Sequence, residues 1–295
     1  MANQVWLVTG CSSGVGAALS QQIINQGHIL VATARKVESL SFLPNNDHVL
    51  KLSLDVTKPE QIDAALQATI QRFGRLDVLV NNAGYTKRGV TEAVPMEELR
   101  EMFETNFWGA VNATQKVLKV FRESNVKNGR IGGTVVQISS IGGRIAFPGS
   151  AAYHSSKFAL EAFTETISQE VDPTWNIRFL IVEPGGTKTN FVSSSNKSVS
   201  TLHPAYNNPE LPINQLFKLV NDPTLEDRYA DANKVAKVIV EIVQKDTMPL
   251  RLPTGVDAWA IIKRREVQKM EELEEWREVS ESVGGGTLLS TGSVK

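Results

Sequence analysis

Near its amino terminus the chain reads Val5-Trp6-Leu7-Val8-Thr9-Gly10-Cys11-Ser12-Ser13-Gly14-Val15-Gly16. The four leading apolar residues predict a buried strand, and the apolar spacing of residues 17–24 predicts a helix directly after the glycines. A strand, a glycine-rich turn and a helix aim free backbone N–H groups at a phosphate. The glycine spacing is Gly-x-x-x-Gly-x-Gly rather than the commoner Gly-x-Gly-x-x-Gly. A flexible loop would have the same composition, so the interpretation as a phosphate-binding turn depends on the strand that follows.

The second predicted strand, residues 28–34, ends directly before Arg35. In a dinucleotide-binding unit the end of this strand meets the adenosine ribose, where an acidic residue accepts a hydrogen bond from a free 2′-hydroxyl. Positions 33–37 contain no acidic residue. Arg35 instead offers a guanidinium fork to a 2′-phosphate, with Ser12 and Ser13 as further donors. The pattern favours NADP over NAD, and the alternative is that Arg35 is simply a solvated strand-end residue.

Strands and helices alternate along the rest of the chain. The predicted strands are 4–8, 28–34, 48–54, 77–81, 133–139, 177–183 and 249–252. The predicted helices are 14–26, 58–73, 97–123, 151–172 and 231–245. This alternation predicts an α/β fold with a doubly wound parallel sheet of about seven strands, covered by helices on both faces.

Two segments depart from this alternation. Residues 190–228 are rich in Ser, Asn and Pro and follow the sixth strand, where loops line the ligand crevice. We expect this segment to be a substrate lid whose apolar residues have few partners before ligands bind. Residues 258–282 have the pattern of a charged amphipathic helix. The predicted organisation is a single catalytic domain over 1–255, including the lid, and a helical extension with a flexible tail over 256–295.

Tyr153 and Lys157 lie four residues apart in the helix predicted over 151–172. The i,i+4 offset places the phenol and the ammonium on one face, and a neighbouring cation lowers the pKa of a phenol. Ser140, thirteen residues before the tyrosine, could hold a carbonyl or alcohol oxygen beside it. An isolated Tyr-x-x-x-Lys pair is usually an ordinary pair on a helix surface, so the pair gains meaning only from the other motifs.

Several separated motifs, taken together and in order, resemble those of the short-chain dehydrogenase/reductase family in its shorter, single-domain branch. The match runs over residues 4 to about 190, and more loosely to about 280. The motifs are Thr9-Gly10-x-x-x-Gly14-x-Gly16, Asp55-Val56, Asn81-Asn82-Ala83-Gly84, Asn106, Ser140, Tyr153-x-x-x-Lys157 and Pro184-Gly185. The resemblance implies a Rossmann-type fold and no metal.

The resemblance also implies site residues. The catalytic set is Asn106, Ser140, Tyr153 and Lys157. The cofactor set is Gly10, Ser12, Ser13, Gly14, Val15, Gly16, Arg35, Asp55, Asn82, Ala83, Gly84, Tyr153, Lys157, Pro184, Gly185, Thr187 and Thr189. Asp55 would accept from the adenine, Asn106 would bend its helix, and Thr187 or Thr189 would lie near the carboxamide or the pyrophosphate. The rival interpretation makes Asp55 and residues 82–84 structural turn residues and Asn106 a satisfied buried amide.

Three functions fit these motifs. The favoured one is an NADP(H)-dependent oxidoreductase that acts on a ketone or secondary alcohol, with Tyr153 as acid and base. The insertion at 190–228 suggests a lipophilic substrate of steroid, retinoid or polyketide type. The alternatives are an enzyme of net non-redox chemistry on the same scaffold, such as isomerisation, dehydration or cyclisation, and a non-catalytic NADP-binding sensor. The complete set of four catalytic residues argues against both alternatives.

Composition limits the remaining partners. The 295 residues carry a formal charge of −1, which gives no electrostatic reason to expect nucleic acid or an anionic membrane. Cys11, the single cysteine, allows no intrachain disulfide and fits a reducing, cytoplasmic compartment. No apolar run approaches membrane-spanning length, and the first strand leaves no room for a signal peptide. The expected partner is a small-molecule substrate, and a homo-oligomer (dimer or tetramer) stays open.

Overall fold

A computed structural model of the chain describes residues 3–127, 129–189 and 203–285. Within these ranges seven strands form one parallel sheet in the order β3-β2-β1-β4-β5-β6-β9, which confirms the predicted fold class. Its strands are β1 Val5–Val8, β2 Ile29–Ala34, β3 Val49–Ser53, β4 Val78–Asn81, β5 Gly133–Ile138, β6 Ile177–Pro184 and β9 Arg251–Thr254. Two short strands, β7 Thr187–Lys188 and β8 Ala230–Asp231, pair separately.

The strand order reverses between β1 and β4. From β1 the chain adds β2 and β3 on one side, and from β4 it adds β5 and β6 on the other. Val8 of β1 pairs with Ala32 of β2 and with Val80 of β4. Ligands of doubly wound sheets bind outside the carboxyl ends of the strands at such a reversal, because the flanking connections leave in opposite directions there.

Helices cover both faces of the sheet, which is why β1 and β4 are buried along their whole length and show no alternation. One face packs α1 and α8, and the other packs α2, α4 and α6. The α-helices are α1 Gly14–Asn25, α2 Pro59–Phe73, α3 Met96–Phe103, α4 Gly109–Lys119, α5 Asn125–Lys127, α6 Ala151–Glu170, α7 Pro212–Val220, α8 Ala232–Val243, α9 Val256–Glu275 and α10 Arg277–Glu281. No helix in the described ranges has the length and hydrophobicity to cross a membrane.

The continuous helix predicted over 97–123 is interrupted. Two π-helical turns, Glu104–Trp108 and Val120–Ser124, flank α4 and widen the helix at each end. A π turn inserts one extra residue into a helix without changing its apolar pattern much, so periodicity alone does not reveal it. The first of these turns carries Asn106, which agrees with the expectation that this residue distorts its helix.

The described part of the 190–228 segment is more ordered than predicted, and residues 190–202 lie outside the described ranges. The residues on either side of the segment are joined, because β7 pairs with β8 through Thr187 and Ala230. Within it, Ile213 and Phe217 of α7 are buried and pack against Val90. The expectation that its apolar residues have few partners is therefore wrong for these two, because their i,i+4 spacing puts both on the inner face of a short helix.

Candidate active site

A cavity of about 1330 Å³ lies at the carboxyl ends of the strands, next to the reversal between β1 and β4. Single small-molecule sites have volumes of about 300–1,000 Å³, so this cavity has room for a dinucleotide and a second molecule. The glycine-rich turn and the end of β2 form one end of the cavity. The ends of β5 and β6, the first turns of α6, and parts of α7 and α9 form the other.

The glycine-rich turn brings bare backbone to the first end of the cavity. Gly10 has a φ of +71° and Gly14 one of +59°, a region that side chains rarely adopt. A Cβ on Gly10 would lie 2.9 Å from the Cα of Ala83, and one on Gly16 would collide with the carbonyl oxygen of Gly10. Ser13, the N-cap of α1, makes no side-chain cap hydrogen bond. The first N–H groups of α1 are thus available to an anion such as a pyrophosphate.

The Asn82 side chain links the glycine-rich turn to the end of β4 by hydrogen bonds. Its side-chain Nδ2 donates to the carbonyl oxygens of Thr9 (2.8 Å) and Gly10 (3.0 Å). The Thr9 hydroxyl in turn accepts from the backbone N–H groups of Asn82 (2.9 Å) and Ala83 (3.0 Å). Asn82 therefore shapes the glycine-rich turn through the backbone, which agrees with the structural interpretation of residues 82–84.

Arg35 is exposed at the end of β2 and lines the cavity together with Ser12 and Ser13. All three are residues that the sequence predicted as donors to a ribose 2′-phosphate. Asp55 lines the same end, and its Oδ1 accepts from the N–H (3.0 Å) and hydroxyl (2.8 Å) of Thr57. One Asp55 oxygen therefore stabilises the turn before α2. This agrees with the alternative interpretation, in which Asp55 is a structural turn residue.

Ser140 and Tyr153 are brought together at the opposite end of the cavity. Ser140 caps the short 3₁₀ turn Ile141–Gly143, where its Oγ accepts from the N–H of Gly142 at 3.0 Å. Its side chain also hydrogen-bonds Tyr153 in the first turn of α6. Burial raises the pKa of the Tyr153 phenol, while the Ser140 hydrogen bond and the charge of Arg88 oppose that rise. The sequence predicted that Lys157 lowers the pKa of Tyr153, whereas in the structure burial raises this pKa.

Lys157 is buried, and its ammonium lies near the Tyr153 ring. Its Nζ lies 5.9 Å from the centroid of the Tyr153 ring and donates to the carbonyl oxygen of Ile138 at 2.7 Å. Burial lowers the pKa of Lys157 to about 8, and Glu161 one turn later raises it in part. The i,i+4 spacing predicted the shared face. It could not predict that burial is the largest cause of the pKa shift in both side chains.

Asn106 lies in the same cluster, in the first π turn. Its Oδ1 accepts from the N–H of Tyr85 at 2.9 Å, and its Nδ2 donates to the carbonyl of Tyr85 at 2.8 Å and to the Ser156 hydroxyl at 3.2 Å. A Cβ on Gly84 would lie 3.0 Å from this Oδ1 and 3.7 Å from the Nζ of Lys157. The amide is satisfied and buried, and it positions the backbone after β4 next to the lysine.

The segment after β6 returns to the glycine-rich turn. Thr189 lies beside Gly14, because a Cβ built on that glycine would be 3.4 Å from the Cβ of Thr189. Thr187 is buried and pairs with Ala230 instead. Sequence reasoning left these two threonines equivalent, and the geometry puts Thr189 at the helix amino terminus. Asp257 of α9, which sequence reasoning missed, holds this segment by accepting from the N–H of Gly186 at 2.7 Å.

A family model described as short chain dehydrogenase matches residues 4–200. The chain belongs to the short-chain dehydrogenase/reductase family. Oxidoreductase calM of Penicillium decumbens is 41% identical over 285 residues, which cover 95% of this chain and 92% of that protein. The 3-ketodihydrosphingosine reductase of Bacteroides thetaiotaomicron is 33% identical over 255 residues, or 86% and 89% of the two chains.

A crystal structure of a short-chain dehydrogenase from Streptomyces avermitilis superposes with a TM-score of 0.82 and is 35% identical, and the match covers 96% of this chain and 98% of that one. This short-chain dehydrogenase is accordingly an oxidoreductase with a Rossmann-type site for a nicotinamide cofactor, NAD or NADP. The bare glycine backbone and the uncapped helix α1 fit the pyrophosphate of such a cofactor.

Arg88 is a residue of this short-chain dehydrogenase that the family motifs do not contain. It lines the cavity in the loop after β4, and its charge acts on Tyr153, Tyr229 and His154. Burial, and then Arg88, lower the pKa of His154 to about 4, so this imidazole is neutral at pH 7. A cation in a polar loop is common on surfaces, so nothing in the sequence marked Arg88 as a cavity residue.

Buried carboxylates lie close to Ser139 and Lys157 of this dehydrogenase. Glu161 accepts from the Ser139 hydroxyl at 2.7 Å and pairs with Arg251 at 3.2 Å. Glu183, at the end of β6, pairs with Arg144 at 3.1 Å. Burial, and then the charge of Glu161, raise the pKa of Glu183 to about 7 against the opposing effect of Arg144. Sequence reasoning missed this network because its members come from five separate elements.

Proposed function

We propose that the chain is an NADP(H)-dependent oxidoreductase that interconverts a ketone and a secondary alcohol, with Tyr153 as the general acid and base. The observation that carries the proposal is the hydrogen-bonded Ser140–Tyr153 pair with Lys157 behind it, inside a cavity that begins at the phosphate-type turn. A non-catalytic sensor on this scaffold has no need of an acid held in this position.

The proton chemistry follows from the charge that develops on the substrate. In reduction, the carbonyl carbon gains a hydride, which the nicotinamide supplies when bound, and the carbonyl oxygen becomes negative. Ser140 hydrogen-bonds that oxygen, and Tyr153 donates its proton to it, so the alcohol O–H forms and the phenol O–H breaks. In oxidation Tyr153 takes the proton back.

The phenolate that remains after proton transfer has two cations near it. Lys157 lies 5.9 Å from the ring centroid, and the charge of Arg88 favours the ionised phenol. Burial raises the pKa of Tyr153 and thereby keeps its proton available for reduction at neutral pH. The Ser140 hydrogen bond and the charge of Arg88 limit that rise.

Preference for NADP over NAD rests on the end of β2. Arg35, Ser12 and Ser13 line the cavity there, and a guanidinium fork matches a phosphate group. Residues 33–37 carry no carboxylate to accept from a free 2′-hydroxyl. We infer from this donor set a cofactor with a 2′-phosphate.

The proposed substrate is lipophilic. The wall opposite the glycine-rich turn contains apolar side chains from α7 and α9, including Leu216, Val220 and Ile261. The related 3-ketodihydrosphingosine reductase is named for a long-chain ketone. We infer that residues 190–228 act as the lid of a catalytic domain over 1–255, with 256–295 as an extension, and that the protein works in the cytoplasm.

Absorbance at 340 nm tests the proposal. The full chain is mixed with NADPH or NADH and a panel of ketones that includes long-chain, steroid and small water-soluble members. NADPH consumption with equal formation of alcohol supports the proposal. Product formation without loss of absorbance would indicate the non-redox alternative, and binding of NADPH without turnover of any ketone would indicate a sensor.

A further inference from the structure

Helix α9 leaves the body of the protein half-way along its length. Its first turns are anchored, since Ala258 and Ile262 are buried and Glu266 pairs with Arg144 at 3.1 Å. From Met270 to residue 285 every residue is exposed. At 1.5 Å per residue, the projecting part of α9 and α10 is about 18 Å long. A helix that receives no packing from its own domain is unusual unless something else covers it.

Helix α9 carries an apolar stripe that runs from its anchored first turns into its projecting part. We define the stripe as Trp259, Val267, Met270 and Leu273, which are 59%, 50%, 64% and 63% exposed. At 100° per residue these four positions fall within about 120° of one another around the helix. Isolated apolar residues are normal on surfaces, whereas a stripe of this kind marks a contact with another molecule.

The charges on either side of Met270 have opposite signs. Residues 263–269 contain four basic side chains and one acidic one, and residues 271–281 contain six acidic side chains and one basic one. The helix is therefore basic before the middle of the stripe and acidic after it. An anionic membrane would attract the first half and repel the second, so the charges do not suit a lipid surface.

We propose that the stripe docks against the same stripe of a second copy of this chain, with the two helices antiparallel. An antiparallel pair places each basic half, 263–269, beside the partner's acidic half, 271–281, while a parallel pair places like charges together. The change of sign at Met270 puts the two-fold axis within about one helical turn of that residue. Such a contact is self-complementary, as a two-fold dimer requires.

Site-directed cross-linking locates the contact. Cys11 is buried, so a new cysteine is the accessible thiol in the described part of the chain. Met270→Cys in the full chain should give a covalent dimer with a short bismaleimide. Trp259→Cys is the matched control, because antiparallel packing separates the two copies of residue 259 by about 33 Å along the axis. No cross-link at 270 above wild type, or an equal yield at 259, would overturn the proposal.

Charge reversal tests the orientation. A basic variant with Glu271→Lys, Glu274→Lys, Glu275→Lys and Glu278→Lys should lose at least tenfold in self-association by sedimentation at low salt, and so should an acidic variant with Lys263→Glu, Arg264→Glu and Lys269→Glu. Mixing the two variants should restore the dimer. Glu60→Lys with Glu97→Lys, exposed elsewhere, is the control, and retained thermal unfolding shows that each variant is folded.

Three results would overturn the antiparallel dimer. They are self-association unaffected by either reversal, a mixture that does not recover, and binding of the wild-type chain to vesicles of anionic lipid through α9 without any cross-link at position 270. Each is measured on the full chain, and none depends on catalytic activity.

Discussion

The two ends of the cavity are built differently. At the cofactor end the surface is mostly backbone, since the glycine-rich turn, Asn82 and the start of α1 place N–H and C=O groups. At the substrate end it is mostly side chains, with Ser140, Tyr153, Lys157 and Arg88 drawn from separate elements. Apart from Asn82, the first arrangement comes from consecutive residues, while the second depends on how distant elements pack. Substitutions at the two ends should therefore have separable effects.

Tyr153→Phe should have the largest effect and should leave the cofactor end untouched. Loss of the phenol proton removes the general acid, so turnover should fall by about 10²–10⁴-fold. The dissociation constant of NADPH, measured by fluorescence titration, should change little, because no backbone group of the glycine-rich turn moves. Tyr206→Phe is the matched control and should leave turnover nearly intact. A Tyr153→Phe protein with more than about a tenth of normal activity would mean that another group is the acid.

The reciprocal substitution is Ala34→Asp at the end of β2. The wild-type chain should bind NADPH more tightly than NADH by at least about tenfold, or 1.4 kcal/mol. A carboxylate beside Arg35 should repel a 2′-phosphate and accept from a 2′-hydroxyl, which reverses the preference. Cofactor dissociation constants and kcat/KM with either cofactor measure the change. Ala34→Ser, which adds no charge, is the control, and equal affinities in the wild type would break the assignment of Arg35.

Arg88→Met should slow alcohol oxidation at neutral pH and move the pH profile of oxidation toward higher pH. The guanidinium lowers the pKa of Tyr153, and oxidation needs the ionised phenol as base. One pKa unit corresponds to about a tenfold change in the ionised fraction, so a loss of about tenfold in oxidation is expected. Arg88→Lys keeps the charge and should restore most of the rate. A loss of the same size at every pH would instead indicate that Arg88 binds the substrate.

Glu183→Gln should have the smallest effect, on stability and its pH dependence. Burial raises the pKa of Glu183 from 4.5 to about 7, so the folded protein favours the protonated form. The associated stability is present below pH 4.5 and is lost as pH rises through about 7. Above pH 7 the variant should exceed the wild type by about 1–3 kcal/mol in denaturant unfolding. Glu165→Gln, at a half-exposed carboxylate, is the control. A difference that does not vary with pH would refute this titration.

Sequence alone determined the alternation of strands and helices in a parallel sheet and the glycine-rich turn, and it proposed Asn106, Ser140, Tyr153 and Lys157 as the catalytic set. Buried strands between two helical layers need continuous apolar runs, and a turn with positive φ needs glycine. Short stretches of sequence therefore predict both features. The conjunction of motifs indicated the family, which the family model over residues 4–200 confirms. The strands and the turn are predictable from sequence because each depends on the chemistry of a few neighbouring residues.

Tertiary structure alone decided the electrostatics of the site and its outer parts. The sequence predicted a lowered pKa for Tyr153, but desolvation is a property of everything that surrounds a side chain, and burial raises that pKa. Arg88, Asp257 and the buried carboxylates reach the site from elements far apart in the chain. The π turn around Asn106 and the packing of α7 likewise depend on neighbours that no local pattern contains.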